Sequence, residues 1–87
     1  MEENIRLKRL KYRSSHRGCK ETDLMLGQFA DNRLGDLKGP MLDLYERLLD
    51  ENDVDIWNWL SGSDTPTDAA YLPLLEMLRS NTLDVVN

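Results

Sequence analysis

Apolar residues along this chain recur at helical spacing, and no stretch alternates apolar with polar long enough to read as a strand. The pattern predicts a short basic helix over 4–14, with Ile5, Leu7, Leu10 and Tyr12 as its apolar members. The neighbourhood of Gly18 breaks it. A second helix fits 19–33, with Leu24, Met25, Leu26 and Phe29 facing inward and Gly35 as its stop. A third fits 40–50, opening on Pro40, whose missing N–H has no helical partner in a first turn anyway. Its Met41, Leu42, Tyr45, Leu48 and Leu49 form a one-sided stripe. The acidic corner Asp50-Glu51-Asn52-Asp53 reads as solvated, with Asn52 or Asp53 capping a helix over 54–60 that ends at Ser61-Gly62-Ser63. Thr65-Pro66-Thr67-Asp68 opens a last helix over 67–80, where Pro73 marks a kink or the start of the regular part. The reading leaves 81–87 as a loose tail. Together these elements predict a single all-α domain over 1–87, a compact bundle of four to five short helices. Phe29, Leu48, Leu49, Trp59 and Leu60 are expected in its core.

Composition sharpens this picture through the distribution of charge. The net charge is −5 over 87 residues. Residues 1–20 hold Arg6, Lys8, Arg9, Lys11, Arg13, Arg17 and Lys20 against Glu2 and Glu3, a net of +5, and the remainder carries −10. A basic arm on an acidic body either leans on that body or meets an acidic partner. Stretches free of charged residues, such as Ala69 to Leu75, are all too short to span a bilayer, so no membrane insertion is expected. Residues 1–20 lack the apolar stretch of a secretory signal, which makes a cytoplasmic location the expectation, or the mitochondrial matrix in a eukaryote.

Little in the chain supports chemistry of its own. Cys19 is the single cysteine and His16 the single histidine. A Cys-His nucleophile would need the two in contact, with a third group orienting the histidine. No metal is expected, since no second His or Cys could complete a nitrogen or sulfur ligand set. The five glycines are dispersed rather than gathered into a phosphate-binding loop, so no tightly bound nucleotide or flavin is expected. The basic arm keeps a toxin-linked or nucleic-acid-linked regulator open as an alternative, although the acidic body would repel a polyanion. The segment that stands out is Arg17-Gly18-Cys19-Lys20-Glu21. Gly18 falls between two helical patterns, where a positive φ or a close backbone approach requires a missing Cβ. Arg17 and Glu21 would share one face if the second helix began at Arg17. An arginine there opposes the helix dipole and is expected to add nothing to stability.

In its surroundings this segment becomes specific. The run from Arg13 to Asp31, containing Arg17-Gly18-x-x-Glu21, resembles the signature of the succinate dehydrogenase assembly factors of the SdhE type. Leu48-Leu49-Asp50 and Asp53-Val54-Asp55-Ile56-Trp57-Asn58-Trp59-Leu60 resemble that family's second block, and the resemblance covers about residues 9–80. It implies a small five-helix chaperone, not an enzyme, that assists covalent attachment of FAD to the flavoprotein subunit of succinate dehydrogenase or of fumarate reductase. It implies a partner-binding surface at Arg17, Gly18 and Glu21, with His16 and Asp23 in its flanks. FAD would be the client's cofactor, and a monomer without nucleic acid is expected. Cys19 stands at a variable position of the motif.

Overall fold

A computed structural model describes the backbone of residues 2–86 and the side chains of residues 4–81. It contains five α-helices: α1 (Glu2–Ser15), α2 (Lys20–Arg33), α3 (Pro40–Leu49), α4 (Asp53–Ser61) and α5 (Leu72–Val86). Single 3-10 turns at Leu34–Asp36 and Ala69–Tyr71 lead out of α2 and into α5. No strand occurs among the described residues. The all-α expectation therefore holds, and four of the five helices fall within about two residues of their predicted bounds.

The helices meet in one core. Leu10, Leu26, Phe29, Leu34, Tyr45, Leu48, Ile56, Leu74, Leu75 and Leu78 are fully buried, with Leu49, Trp59 and Leu60 close behind. Every residue expected in the core is there. The rings of Phe29 and Tyr45 stack at 5.5 Å between centroids, and those of Trp59 and Tyr71 at 5.8 Å. Burying side chains of this size contributes about 1.5–3 kcal/mol each before the entropy of ordering is counted. One polar contact lies within this packing. The Ser14 hydroxyl donates to the Leu10 carbonyl at 2.7 Å and pairs with the Tyr45 hydroxyl at 2.6 Å, which keeps both buried hydroxyls partnered. Burial pushes the Tyr45 phenol up to about 12, against the opposing pull of the Ser14 bond and of the Arg17 charge.

Three apolar assignments are corrected. Ile5, Tyr12 and Leu24 are exposed, at 59%, 64% and 59%. In α1 the inward positions are Leu7, Leu10 and Ser14, a three-then-four spacing that leaves Ile5 and Tyr12 on the opposite side. In α2 they are Thr22, Leu26, Phe29 and Ala30, so Leu24 turns away. Small residues let these two helices approach closely. A Cβ placed on Gly27 would sit 3.2 Å from the Ser15 Cβ.

The C-terminal helix also differs. The segment expected to begin it at 67 instead forms the separate 3-10 turn, whose start Asp68 caps by accepting from the Ala70 N–H at 2.9 Å. Pro73 stands in the second position of α5, where its missing N–H costs nothing, and so marks the start of the regular helix. No breaker follows Pro73. The inward series Leu74, Leu75, Leu78 continues to the buried Asn81, and the backbone stays helical to Val86 instead of loosening at 81. Asn87 and the side chains beyond 81, the rest of the expected tail, lie outside the described residues. Arg79 ties α5 to α4 by donating to the Trp59 and Leu60 carbonyls at 2.6 and 3.0 Å.

Candidate functional site

Four residues, His16 to Cys19, connect α1 to α2. Gly18 has φ +95°, a conformation that L side chains rarely adopt, and it lies exposed at the bend. Asp23, in the first turn of α2, reaches back to brace this bend. Its carboxylate accepts from the Arg17 backbone N–H at 2.7 Å and from the Gly18 N–H at 3.4 Å. The carboxylate thus partners two loop donors while lying at the positive end of the α2 dipole.

Arg17 turns inward. Its Nε–H donates to Asp53 Oδ1 at 2.5 Å, Nη1 to the Leu49 carbonyl at 2.7 Å and Nη2 to the Glu51 carbonyl at 2.8 Å. The side chain is only 10% exposed. The guanidinium therefore fills the corner between α3 and α4. It sits at the negative end of the α3 dipole and takes the carbonyl of Leu49, the last residue of that helix, together with that of Glu51 in the connection to α4. The condition under which Arg17 and Glu21 would share a helix face is therefore not met. The second helix begins at Lys20, so Arg17 lies outside it and answers to α3 instead.

The acidic corner is corrected along with it. Asn52 caps α4, its Oδ1 accepting from the Val54 N–H at 2.9 Å, as the sequence suggests. The flanking acids, however, are engaged rather than merely solvated. Asp53 pairs with Arg17, Asp50 with Arg13 at 2.7 Å, and Glu51 accepts from the Tyr71 hydroxyl at 2.9 Å. Burial, reinforced by the Glu51 bond and charge, pushes the Tyr71 phenol up to about 12.

The outward side of the bend carries the other candidates. Glu21 is exposed and accepts a 3.5 Å bond from the Cys19 thiol. Gly18, Lys20, Asp23 and the exposed Leu24 line an open recess beside it. His16 stacks on Tyr12 with ring centroids 3.9 Å apart, and its Nδ1 lies 2.9 Å from the Tyr12 carbonyl and 3.0 Å from Ser15 Oγ. Tyr12, Arg13, His16 and Arg17 line a second open recess. Of the five residues singled out, His16, Gly18 and Glu21 therefore present themselves to solvent, whereas Arg17 and Asp23 hold the bend from behind. Cys19 is held by Glu21 and by Thr22, whose hydroxyl donates to its sulfur at 3.2 Å. His16 faces Tyr12 and Ser15, so the structure does not assemble a Cys-His pair. Among the described residues no group of His, Cys, Asp and Glu could hold a metal ion, and no helix is long and apolar enough to cross a membrane.

Sequence reasoning missed Asp53 as the partner of Arg17 and Leu24 as exposed. A signal for Asp53 did exist, since Asn52 already serves as the cap and leaves the next acid free. Nothing local could have paired it with a residue 36 positions earlier.

The profile of the family described as "flavinator of succinate dehydrogenase" matches residues 8–82. The chain belongs to that family. Among curated proteins it is 41% identical over 75 residues to succinate dehydrogenase assembly factor 2, mitochondrial, of Yarrowia lipolytica, covering 82% of this chain and 52% of that protein. The protein of the same name in Schizosaccharomyces pombe is 48% identical over 56 residues, 64% of this chain and 40% of the relative. That of Lodderomyces elongisporus is 34% identical over 90 residues, 95% and 55%. The chain spans about half the length, or less, of these relatives. No solved structure matches it. The family match includes the whole bend, Arg17, Gly18 and Glu21 among it.

Proposed function

We propose that this chain is an assembly factor that binds the flavoprotein subunit of succinate dehydrogenase and promotes covalent attachment of FAD to it, with the corresponding subunit of fumarate reductase as a second client. The observation that carries this reading is the bend itself. A positive-φ glycine, Gly18, and an exposed carboxylate, Glu21, stand at a bend braced from within by Arg17 and Asp23. Such a surface suits close contact with another protein's backbone, because it is ordered before binding and loses little entropy on docking. The flavin bond forms within the client. The chaperone acts by favouring the client conformation in which that bond forms, a shift of populations that requires no catalytic group here.

FAD belongs to the client in this reading. The recesses flanking the bend are open to solvent rather than enclosed. The chain works as a monomer that binds neither nucleic acid nor metal, in the bacterial cytoplasm or in the mitochondrial matrix, the compartment in the relatives' names. The test is in-gel flavin fluorescence of the denatured client after incubation with FAD and limiting chaperone. Gly18→Ala and Glu21→Ala should each lower the covalent flavin while the variants remain helical. Wild-type flavinylation by both would remove the bend as the working surface. A purified protein that carries stoichiometric flavin would make it a carrier instead.

A further inference from the structure

The charge of α1 divides in two. Arg6 reaches Asp43 at 2.8 Å and Glu46 at 2.7 Å, and Arg13 reaches Asp50 at 2.7 Å, so two of its cations are taken by α3 and the residue that caps its end. Lys8, Arg9 and Lys11 are exposed and have no partner among the described residues. They do not stand alone. Ile5 and Tyr12 lie on the same outward side, at 59% and 64% exposure, with Lys8 between them at helical spacing and Arg9 and Lys11 on either flank. The outward face of α1 is therefore an apolar-and-basic stripe on an otherwise acidic chain. Through the stack of Tyr12 on His16 it runs without a break into the Gly18 bend.

We propose that this face is a second docking surface, which holds an acidic, partly apolar element of the same client that meets the bend. The proposal rests on the function inferred above. Three observations select this occupant. The unpaired cations call for carboxylates, and exposed Ile5 and Tyr12 call for apolar contact beside them. Continuity with the bend lets one partner cover both. The extent of the stripe limits its size. The 14 residues of α1 span about 21 Å, while the molecule is 39 Å long and the residues beyond position 20 carry −10. A nucleic-acid duplex or an anionic bilayer would extend past the stripe and bring its charge against the acidic body. A single carboxylate-bearing helix or loop would not.

The test uses full-length protein and the FAD-loaded flavoprotein subunit of succinate dehydrogenase from the same organism. Binding is followed by calorimetry and by association kinetics at low and at physiological salt. The triple variant Lys8→Glu, Arg9→Glu, Lys11→Glu should keep the wild-type helical spectrum and melt, because these side chains hold nothing in the fold. Its Kd should rise at least about 10-fold, mainly through slower association, and most of the salt dependence should disappear. Tyr12→Ala should weaken binding with the salt dependence intact. Wild-type affinity and salt dependence in the triple variant, alongside weakened binding by Gly18→Ala, would overturn the second surface and leave the bend standing. Absence of any complex with the wild-type protein would overturn the proposed function and this surface with it. Binding of wild-type protein to random duplex DNA or to phosphatidylserine vesicles, lost in the triple variant, would assign the stripe to those polyanions and overturn the client as its occupant.

Discussion

Replacing Arg17 with alanine removes three hydrogen bonds at once. The Asp53 carboxylate loses its cation, and the Leu49 and Glu51 carbonyls lose their donors, in a corner where the guanidinium is 10% exposed and Asp53 is 25% exposed. Removing one partner of a buried ion pair costs about 3–5 kcal/mol, because the other charge is left without compensation. Partial exposure of Asp53 lets water recover some of this, so the expected loss is roughly 2–4 kcal/mol. In a domain of this size each kcal/mol moves the melting temperature by about 4–8 °C, which predicts a drop of roughly 10–25 °C. Differential scanning calorimetry measures it directly. Arg17→Lys should recover only part of the loss, since an ammonium keeps the charge but cannot place three planar donors. A double-mutant cycle with Asp53→Ala isolates the ion pair, and its coupling should be well above 1 kcal/mol. A melting temperature for Arg17→Ala within about 3 °C of wild type would refute the corner as a structural anchor. Arg17 would then be free to act as a contact residue.

Other outcomes follow from the same geometry. Tyr45 keeps its proton to about pH 12 when folded, whereas an unfolded tyrosine loses it near pH 10, so its contribution is complete below pH 10 and is lost as pH rises from 10 to 12. The unfolding free energy from denaturant titrations should fall over that window by an amount of order 2–3 kcal/mol, and Tyr45→Phe should make the fall shallower; an unchanged slope would dissociate Tyr45 from it. Gly18→Ala meets no atom within 4 Å, so its cost is conformational only, about 1 kcal/mol by chemical denaturation, and a larger loss would mean the bend is packed more tightly than it stands here. Gly27→Val should cost more than Gly27→Ala, because added bulk pushes Ser15 and α1 away, and equal melting temperatures for the two would contradict that contact. Asn81 is buried with its amide N–H2 unpaired among the described residues and only a long 3.5 Å bond from Asn32 on its carbonyl, so Asn81→Leu should leave stability level or raise it by about 1 kcal/mol, and a fall beyond about 1 kcal/mol would show the amide group to be worth more than its desolvation.

Much of the fold could be read from local signals. The stripe from Met41 to Leu49 repeats within a single helix, Pro40 at a helix start, Asn52 as a cap and Gly62 as a stop act within one turn of chain, and each placed an element correctly. Face assignments failed where the local pattern was ambiguous. Leu24, Met25 and Leu26 are consecutive, and only the packing of α2 against its neighbours decides that Leu26 turns in and Leu24 out. The candidate site divides in the same way. Gly18 announced its positive φ by lying between two helical patterns. Arg17 was read from its own helix end, where a cation is unfavourable, although the dipole that matters to it belongs to α3. Long-range pairing of that kind leaves no periodic trace in a sequence.

The tie between Arg17 and the α3–α4 corner also orders events during synthesis. The motif residues leave the ribosome before the groups that hold Arg17, which lie 32 to 36 residues further along the chain. Until those have emerged and packed, the loop has only Asp23 to brace it. A nascent chain therefore displays the motif well before it presents a formed bend, and a partner that reads the shape of the bend would engage only chains whose fourth helix is in place. Under the proposed function, completion of the fold would act as a checkpoint on client engagement, set by the distance along the chain between an arginine and the corner that receives it.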